Sequence, residues 1–235
     1  MNIDTDLDKK YHNTHSMDSN KIKYACEYRV LATLRYFYPK EYENMEHSDS
    51  PDLQDKSNKM GIEVINAISS KDAEATSLFS KMKNSAPKQN QKLKNVIKKC
   101  DYTFSLIEDD KYSIGKTGTG DGEKIVFQES IRKKLNKLHL YKTKFAKVGL
   151  AILLPEPPTS FAEEHCIEWI LETIEDSKNT FDIFYVISHR FCITFDFQNN
   201  KNEKIKIDSE VNQKLRKIAR MTAEGKISLD ALEWQ

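Results

Sequence analysis

Ser50-Pro51-Asp52-Leu53-Gln54-Asp55 and, after a polar break, Gly61-Ile62-Glu63-Val64-Ile65-Asn66 decide how this chain is read. Pro51 to Gln54 and Gly61 to Ala67 have the composition of two short strands, and the residues between them (DKSNKM) have the polarity of a hairpin turn. Side chains alternate along a strand, so Ile62, Val64 and Asn66 share one face while Glu63 and Ile65 share the other. Asp52 opens the first strand and Glu63 lies inside the second. If the strands pair, the two carboxylates approach one point.

Carboxylates so placed repel each other unless a proton or a divalent cation stands between them. Hard oxygen donors favour Mg2+ or Mn2+, and such an ion can activate water and stabilise charge at phosphorus. The segment before the strand pair, residues 21–38, reads as an amphipathic helix ended by Pro39, with Glu27, Val30, Leu31, Leu34 and Tyr38 as its inward stripe. A carboxylate heading an apolar stripe is unusual, because burying an ionised glutamate unpaired is costly.

Outward from there, Glu41–Asp49 reads as a loop and residues 71–83 as a helix turning Ala75, Leu78, Phe79 and Met82 inward. Residues 84–124 form an insert with a polar loop around SIGKTGTGDGEK, and residues 126–141 a further helix. Val148 to Leu154 is a continuous apolar run, as in a strand buried on both faces. A helix over 160–176, strands over 182–188 and 191–197, and helices over 208–224 and 227–235 complete the pattern. Phe191, Ile193, Phe195 and Phe197 alternate with polar or small residues, as on a half-exposed edge. This order predicts one α/β domain over residues 21–235 with a mixed central sheet, behind a disordered tail at 1–20.

Composition narrows the setting. The longest apolar run falls far short of the roughly 20 residues that span a bilayer. The polar N-terminus has no signal-peptide pattern, so a cytoplasmic protein with no membrane partner is expected. Cys26, Cys100, Cys166 and Cys192 are widely spaced and read as reduced thiols rather than zinc ligands. The formal net charge is +1, yet two segments carry lysines and arginines without acids. Residues 75–100 hold Lys81, Lys83, Lys88, Lys92, Lys94, Lys98 and Lys99; residues 131–147 hold Arg132, Lys133, Lys134, Lys137, Lys142, Lys144 and Lys147. Each suits a solvated helix face or, alternatively, a phosphate backbone.

Pro51-Asp52 and Gly61-Ile62-Glu63-Val64 resemble the PD-(D/E)xK nuclease superfamily over roughly residues 21–83, with Val148 to Leu154 as a further core strand. The resemblance implies a restriction-endonuclease-like mixed sheet flanked by helices and hydrolysis of phosphodiester bonds, DNA in preference to RNA. It implies Mg2+ or Mn2+ on Asp52 and Glu63 with Glu27 in support, and a dimer would suit two-strand cleavage. Lys92, Lys94, Lys98, Lys99, Arg132, Lys133, Lys134 and Lys137 would then engage phosphates. The chain departs from the pattern at Ile65, where the family carries its lysine. Relatives supply that amine from the following helix, which makes Lys81 the substitute. The alternative is a nuclease-fold protein that binds nucleic acid or a protein without cleaving.

Other motifs lead away from chemistry. Ile114-Gly115-Lys116-Thr117 lacks the first glycine of a phosphate-binding loop. The histidines show no metalloprotease spacing, and no serine or cysteine has a nucleophile-elbow context.

Overall fold

The computed structural model describes residues 19–82, 87–108, 111–116, 120–154, 160–175, 177–197, 199 and 201–234. Tail residues 1–18 and the loop positions 117–119 lie outside the described residues. The chain forms two compact units, Met1–Ala67 with Gln128–Gln235, and Ile68–Phe127.

The larger unit is built on a seven-stranded mixed sheet. Its elements are α1 (Ser19–Phe37), β1 (Glu46–His47), β2 (Leu53–Asp55) and β3 (Met60–Asn66), followed after the smaller unit by the remaining strands and helices. The smaller unit contributes α2 (Ser70–Met82), α3 (Pro87–Lys99), β4 (Tyr102–Glu108) and β5 (Lys111–Lys116). Then come α4 (Gly120–Leu135), which starts in the smaller unit and ends in the larger, α5 (Leu138–Lys142), β6 (Lys147–Leu153) and α6 (Ser160–Ile174). β7 (Ile183–Ile187), β8 (Phe191–Asp196), β9 (Lys201–Lys206), α7 (Ser209–Ala223) and a 3-10 turn at Leu229–Ala231 close the chain. The large sheet runs β1-β2-β3-β6-β7-β8-β9, with β3, β6 and β7 mutually parallel and the outer neighbours antiparallel.

The parallel centre follows from composition. β6 and β7 are apolar at nearly every position and buried on both faces, as the Val148–Leu154 run predicts. Register sets which residues share a face. Ile62 pairs with Gly149 and Val64 with Ala151, whereas Glu63 pairs with Leu150 and Ile65 with Ile152. Ile62 and Val64 therefore join the core packed by Val30, Leu31 and Leu34 of α1 and Leu215, Ile218 and Met221 of α7. Glu63 faces the other way, where α4 and α5 present Lys134 and Tyr141.

α1 follows the expected stripe but is buried more widely, because α7 packs along it. Arg35, 4% exposed, turns inward and donates to the carbonyls of Tyr42, Glu43 and Met45 and to Asp230. A buried guanidinium is tolerable only with such partners. It fixes the 42–45 loop and with it the approach to β1. The DKSNKM turn forms as predicted. Buried Asp55 accepts from Ser57 Oγ, Asn58 N and Asn58 Nδ2 at 2.5, 3.0 and 2.8 Å.

Several expectations are corrected. Within the Glu41–Asp49 loop, Glu46 and His47 pair with Gln54 and Leu53 as an edge strand. β8 is not an edge, since β9 pairs along its whole length. Of the helix expected at 227–235, the described residues 227–234 form only a single 3-10 turn, and 235 lies outside the described residues. The helix expected at 126–141 starts at Gly120 and breaks between Leu135 and Leu138. The insert at 84–124 extends from Ile68 to Phe127 and has its own core of Ala75, Met82, Ile97 and Cys100, with Leu78, Phe79, Leu93, Tyr102, Phe104 and Ile114 packed against it. Its polar loop is strand over Ser113–Lys116 and helix from Gly120. Ser69 caps α2, its hydroxyl bonded to Asp72 N and Oδ2.

All four cysteines are free thiols; Cys26 is half-buried and the others are buried. Among the described residues, no helix is long and apolar enough to cross a membrane.

Candidate metal and phosphate site

Asp52 stands one residue before β2, just past the last ladder pair, Leu53 with Ile62. Because β2 ends there, the Val64 N–H has no strand partner on that side, and Asp52 Oδ2 accepts it at 2.8 Å. The Asp52 carbonyl accepts from Ser48 N at 2.8 Å, so main chain and side chain are both held. Close packing keeps this segment against β3: a Cβ at Gly61 would lie 2.6 Å from Pro51 Cγ and 3.2 Å from the Phe145 ring. Glycine is required there by approach rather than by backbone angle.

The three candidate acids are buried: Glu27 is 2%, Glu63 4% and Asp52 5% exposed. Burial raises the Asp52 pKa first and the Glu63 charge second, to about 6, against the lowering effect of the Val64 N–H bond. Glu27 adds to the rise and Lys134 opposes it, so all four groups act on one another. Glu27 itself moves the other way. Burial pushes its carboxyl up, but His47 and Lys23 outweigh that and leave it lowered. Glu27 Oε2 lies 2.5 Å from His47 Nε2, and Oε1 lies 3.3 Å from Lys23 Nζ. Lys23 also reaches to 3.7 Å from Asp52 Oδ1, bridging the two acids.

Glu63 is partnered from the opposite side. Lys134 Nζ donates to its Oε1, while Oε2 is buried with no hydrogen-bond partner. Burial first and the Glu63 charge second hold the Tyr141 phenol pKa well above its ordinary value. An orphaned carboxylate oxygen beside a second acid with a raised pKa is the local chemistry a hard cation would relieve. Glu63 Oε2, without a hydrogen-bond partner, and Asp52 Oδ1, met by Lys23 at 3.7 Å, would be the oxygens to hold such an ion. Both Glu27 oxygens are already engaged, so Glu27 acts through Lys23 and His47. Among the described residues, no group of three or more His, Cys, Asp or Glu side chains is arranged to hold an ion.

Glu63 and Glu27 both lie close enough to Asp52 to act on its charge, and strand pairing predicts the approach of Asp52 and Glu63. The amine found on Glu63 belongs to Lys134, expected to contact phosphate, whereas Lys81 is an exposed residue of α2 in the smaller unit. Ile65 is buried and apolar. Lys23, His47 and Tyr141 are members that sequence reading missed. Only the i,i+4 spacing of Lys23 and Glu27 signalled one of them. Lys92, Lys98 and Lys99 are exposed on α3, and Lys94 stands 5.8 Å over the Phe104 ring. Arg132, Lys133 and Lys137 are exposed around the end of α4.

Comparison of the chain with protein-family models, with curated proteins and with solved structures found no match.

Proposed function

We propose that this chain is a divalent-cation-dependent phosphodiesterase that cleaves nucleic acid, DNA in preference to RNA, on a restriction-endonuclease-like version of its mixed sheet. The observation that carries the reading is the meeting of Asp52 and Glu63 where the β2–β3 ladder ends, with Glu63 Oε2 buried and unpartnered. The order of leading helix, acid-bearing strand pair and a parallel apolar strand, β6, supports the PD-(D/E)xK resemblance.

In this reading Asp52 and Glu63 hold Mg2+ or Mn2+. Such an ion supplies an activated water and charge neutralisation at phosphorus. Lys134 donates to Glu63 and brings the positive charge that Ile65 cannot. Glu27 orients Lys23 beside Asp52. Lys92, Lys94, Lys98 and Lys99 of α3, with Arg132, Lys133 and Lys137, engage the backbone without reading sequence.

The rival is a nuclease-like protein that binds without cleaving, and Ile65 is the observation in its favour. Titration of Mn2+ and Mg2+ into wild type and into Asp52→Ala/Glu63→Ala, followed by assays on plasmid and single strands, decides between them. Ion binding and cleavage by wild type alone support hydrolysis. Salt-sensitive nucleic-acid binding with no ion-dependent cleavage supports the rival.

A further inference from the structure

Beside the carboxylates, and joined to them through His47, lies a cluster of rings. Tyr24 and Tyr28 stand one turn apart on α1, and the His47 imidazole of β1 touches both. The Tyr28 and His47 centroids are 4.6 Å apart at 33°, a tilted stack; Tyr24 meets His47 edge-on at 5.2 Å and 79°. The imidazole is held by Glu27 Oε2, and the other oxygen of Glu27 meets Lys23, which reaches Asp52. The rings and the candidate reaction centre thus share a single charged bridge.

Their exposure is graded. His47 and Tyr28 are partly buried, so they form a supported backing, whereas Tyr24 is 40% exposed and contributes little to the core. An aromatic face next to a phosphate-handling centre accepts any nucleobase, because every base has a π-face. A base within a duplex has its faces covered by its neighbours and its edge engaged in pairing. Only an unpaired or extruded base can lie on a side-chain ring.

We propose that Tyr24, backed by His47 and Tyr28, stacks a nucleobase of an unpaired strand next to the phosphate handled by Asp52 and Glu63. This rests on the phosphodiesterase reading above and narrows its substrate to single strands and frayed ends. Lys23 sits between base and phosphate, where its 59% exposed side chain can exchange Asp52 for the strand's backbone.

The test uses the full chain with Ca2+, and again in EDTA, against matched single-stranded and duplex DNA. A single strand carrying one 5-iodouracil should cross-link on irradiation to Tyr24, His47 or Tyr28, read by peptide mass spectrometry. Tyr24→Ala should weaken single-strand binding about tenfold, the scale of one lost base–aromatic stack, and leave duplex binding unchanged. Tyr24→Phe should bind like wild type, since the ring and not the hydroxyl does the stacking. Cross-links that map elsewhere, or an equal loss for single strand and duplex in Tyr24→Ala, overturn the shelf. Mn2+ titration of the same samples reports on the carboxylates independently. Ion binding without ring cross-links removes the shelf alone; loss of both removes the phosphodiesterase reading as well.

Discussion

Lys134 lays its ammonium on Glu63 Oε1 across 71 residues of sequence, joining the end of α4 to the middle of β3. The pair is asymmetric: Lys134 is 25% exposed at its side chain and Glu63 only 5%. Glu63 therefore depends on Lys134 more than Lys134 depends on Glu63.

Removing that amine should show the dependence. Lys134→Met leaves the buried Glu63 carboxylate without its ammonium partner and should cost about 1–3 kcal/mol by denaturant unfolding. Lys134→Arg should recover most of the loss, because a guanidinium can also donate to Glu63. Equal stability of Lys134→Met and wild type would remove Lys134 from the site.

Asp52 should trade stability against ion binding. Asp52→Asn keeps an oxygen for the Val64 N–H but removes the charge that Glu63 and Glu27 repel. Without divalent ions, its melting temperature at neutral pH should equal or exceed that of wild type. Added Mn2+ should raise the wild-type melting temperature and leave the variant unmoved. The same Mn2+ shift in both proteins would place the ion elsewhere.

The pH dependence carries opposite signs for two of the acids. Asp52 has a folded pKa of about 6 against 3.8 for the unreacted side chain, so between these values the native state holds more protons than the unfolded chain. Its contribution to stability without ions therefore rises as pH falls from about 6 toward 3.8 and is constant below. The Glu27 pKa is lowered, so its contribution is present above the ordinary glutamate range and is lost on acidification. Protons compete with the cation at Asp52, so Mn2+ affinity should fall as pH drops through about 6. Calorimetric titration on both sides of that value checks this, and a flat profile would count against Asp52 as a ligand.

Gly61→Ala probes the packing that positions Asp52. The added methyl would meet Pro51 Cγ at 2.6 Å, which forces the Pro51–Asp52 segment away from β3. A loss of about 1–3 kcal/mol is expected, the scale of overpacking, together with weaker Mn2+ binding. Unchanged ion affinity in a destabilised variant would show that Asp52 does not depend on this contact.

Local patterning determined much of this protein. Alternation along Gly61–Asn66 placed Glu63 and Ile65 on one face and Ile62 and Val64 on the other, and the register agrees. The apolar run at 148–154, the α1 stripe and the DKSNKM turn follow from the same short-range rules, since each depends on neighbours a few residues away. The edge strands were not legible. Lys201–Lys206 is almost entirely exposed and Glu46–His47 is only two residues long, so neither buries an apolar face that would mark it.

Tertiary structure alone decided the environment of the acids. Lys134 looks in sequence like one more lysine in a basic run, and His47 like a loop residue. Helix crossing and strand pairing bring them to Glu63 and Glu27. Periodicity specifies which side of an element is buried, but not which distant element covers it. The raised Asp52 pKa, the orphaned Glu63 oxygen and the ring cluster at Tyr24 arise from that long-range choice, because desolvation and charge coupling act through space rather than along the chain.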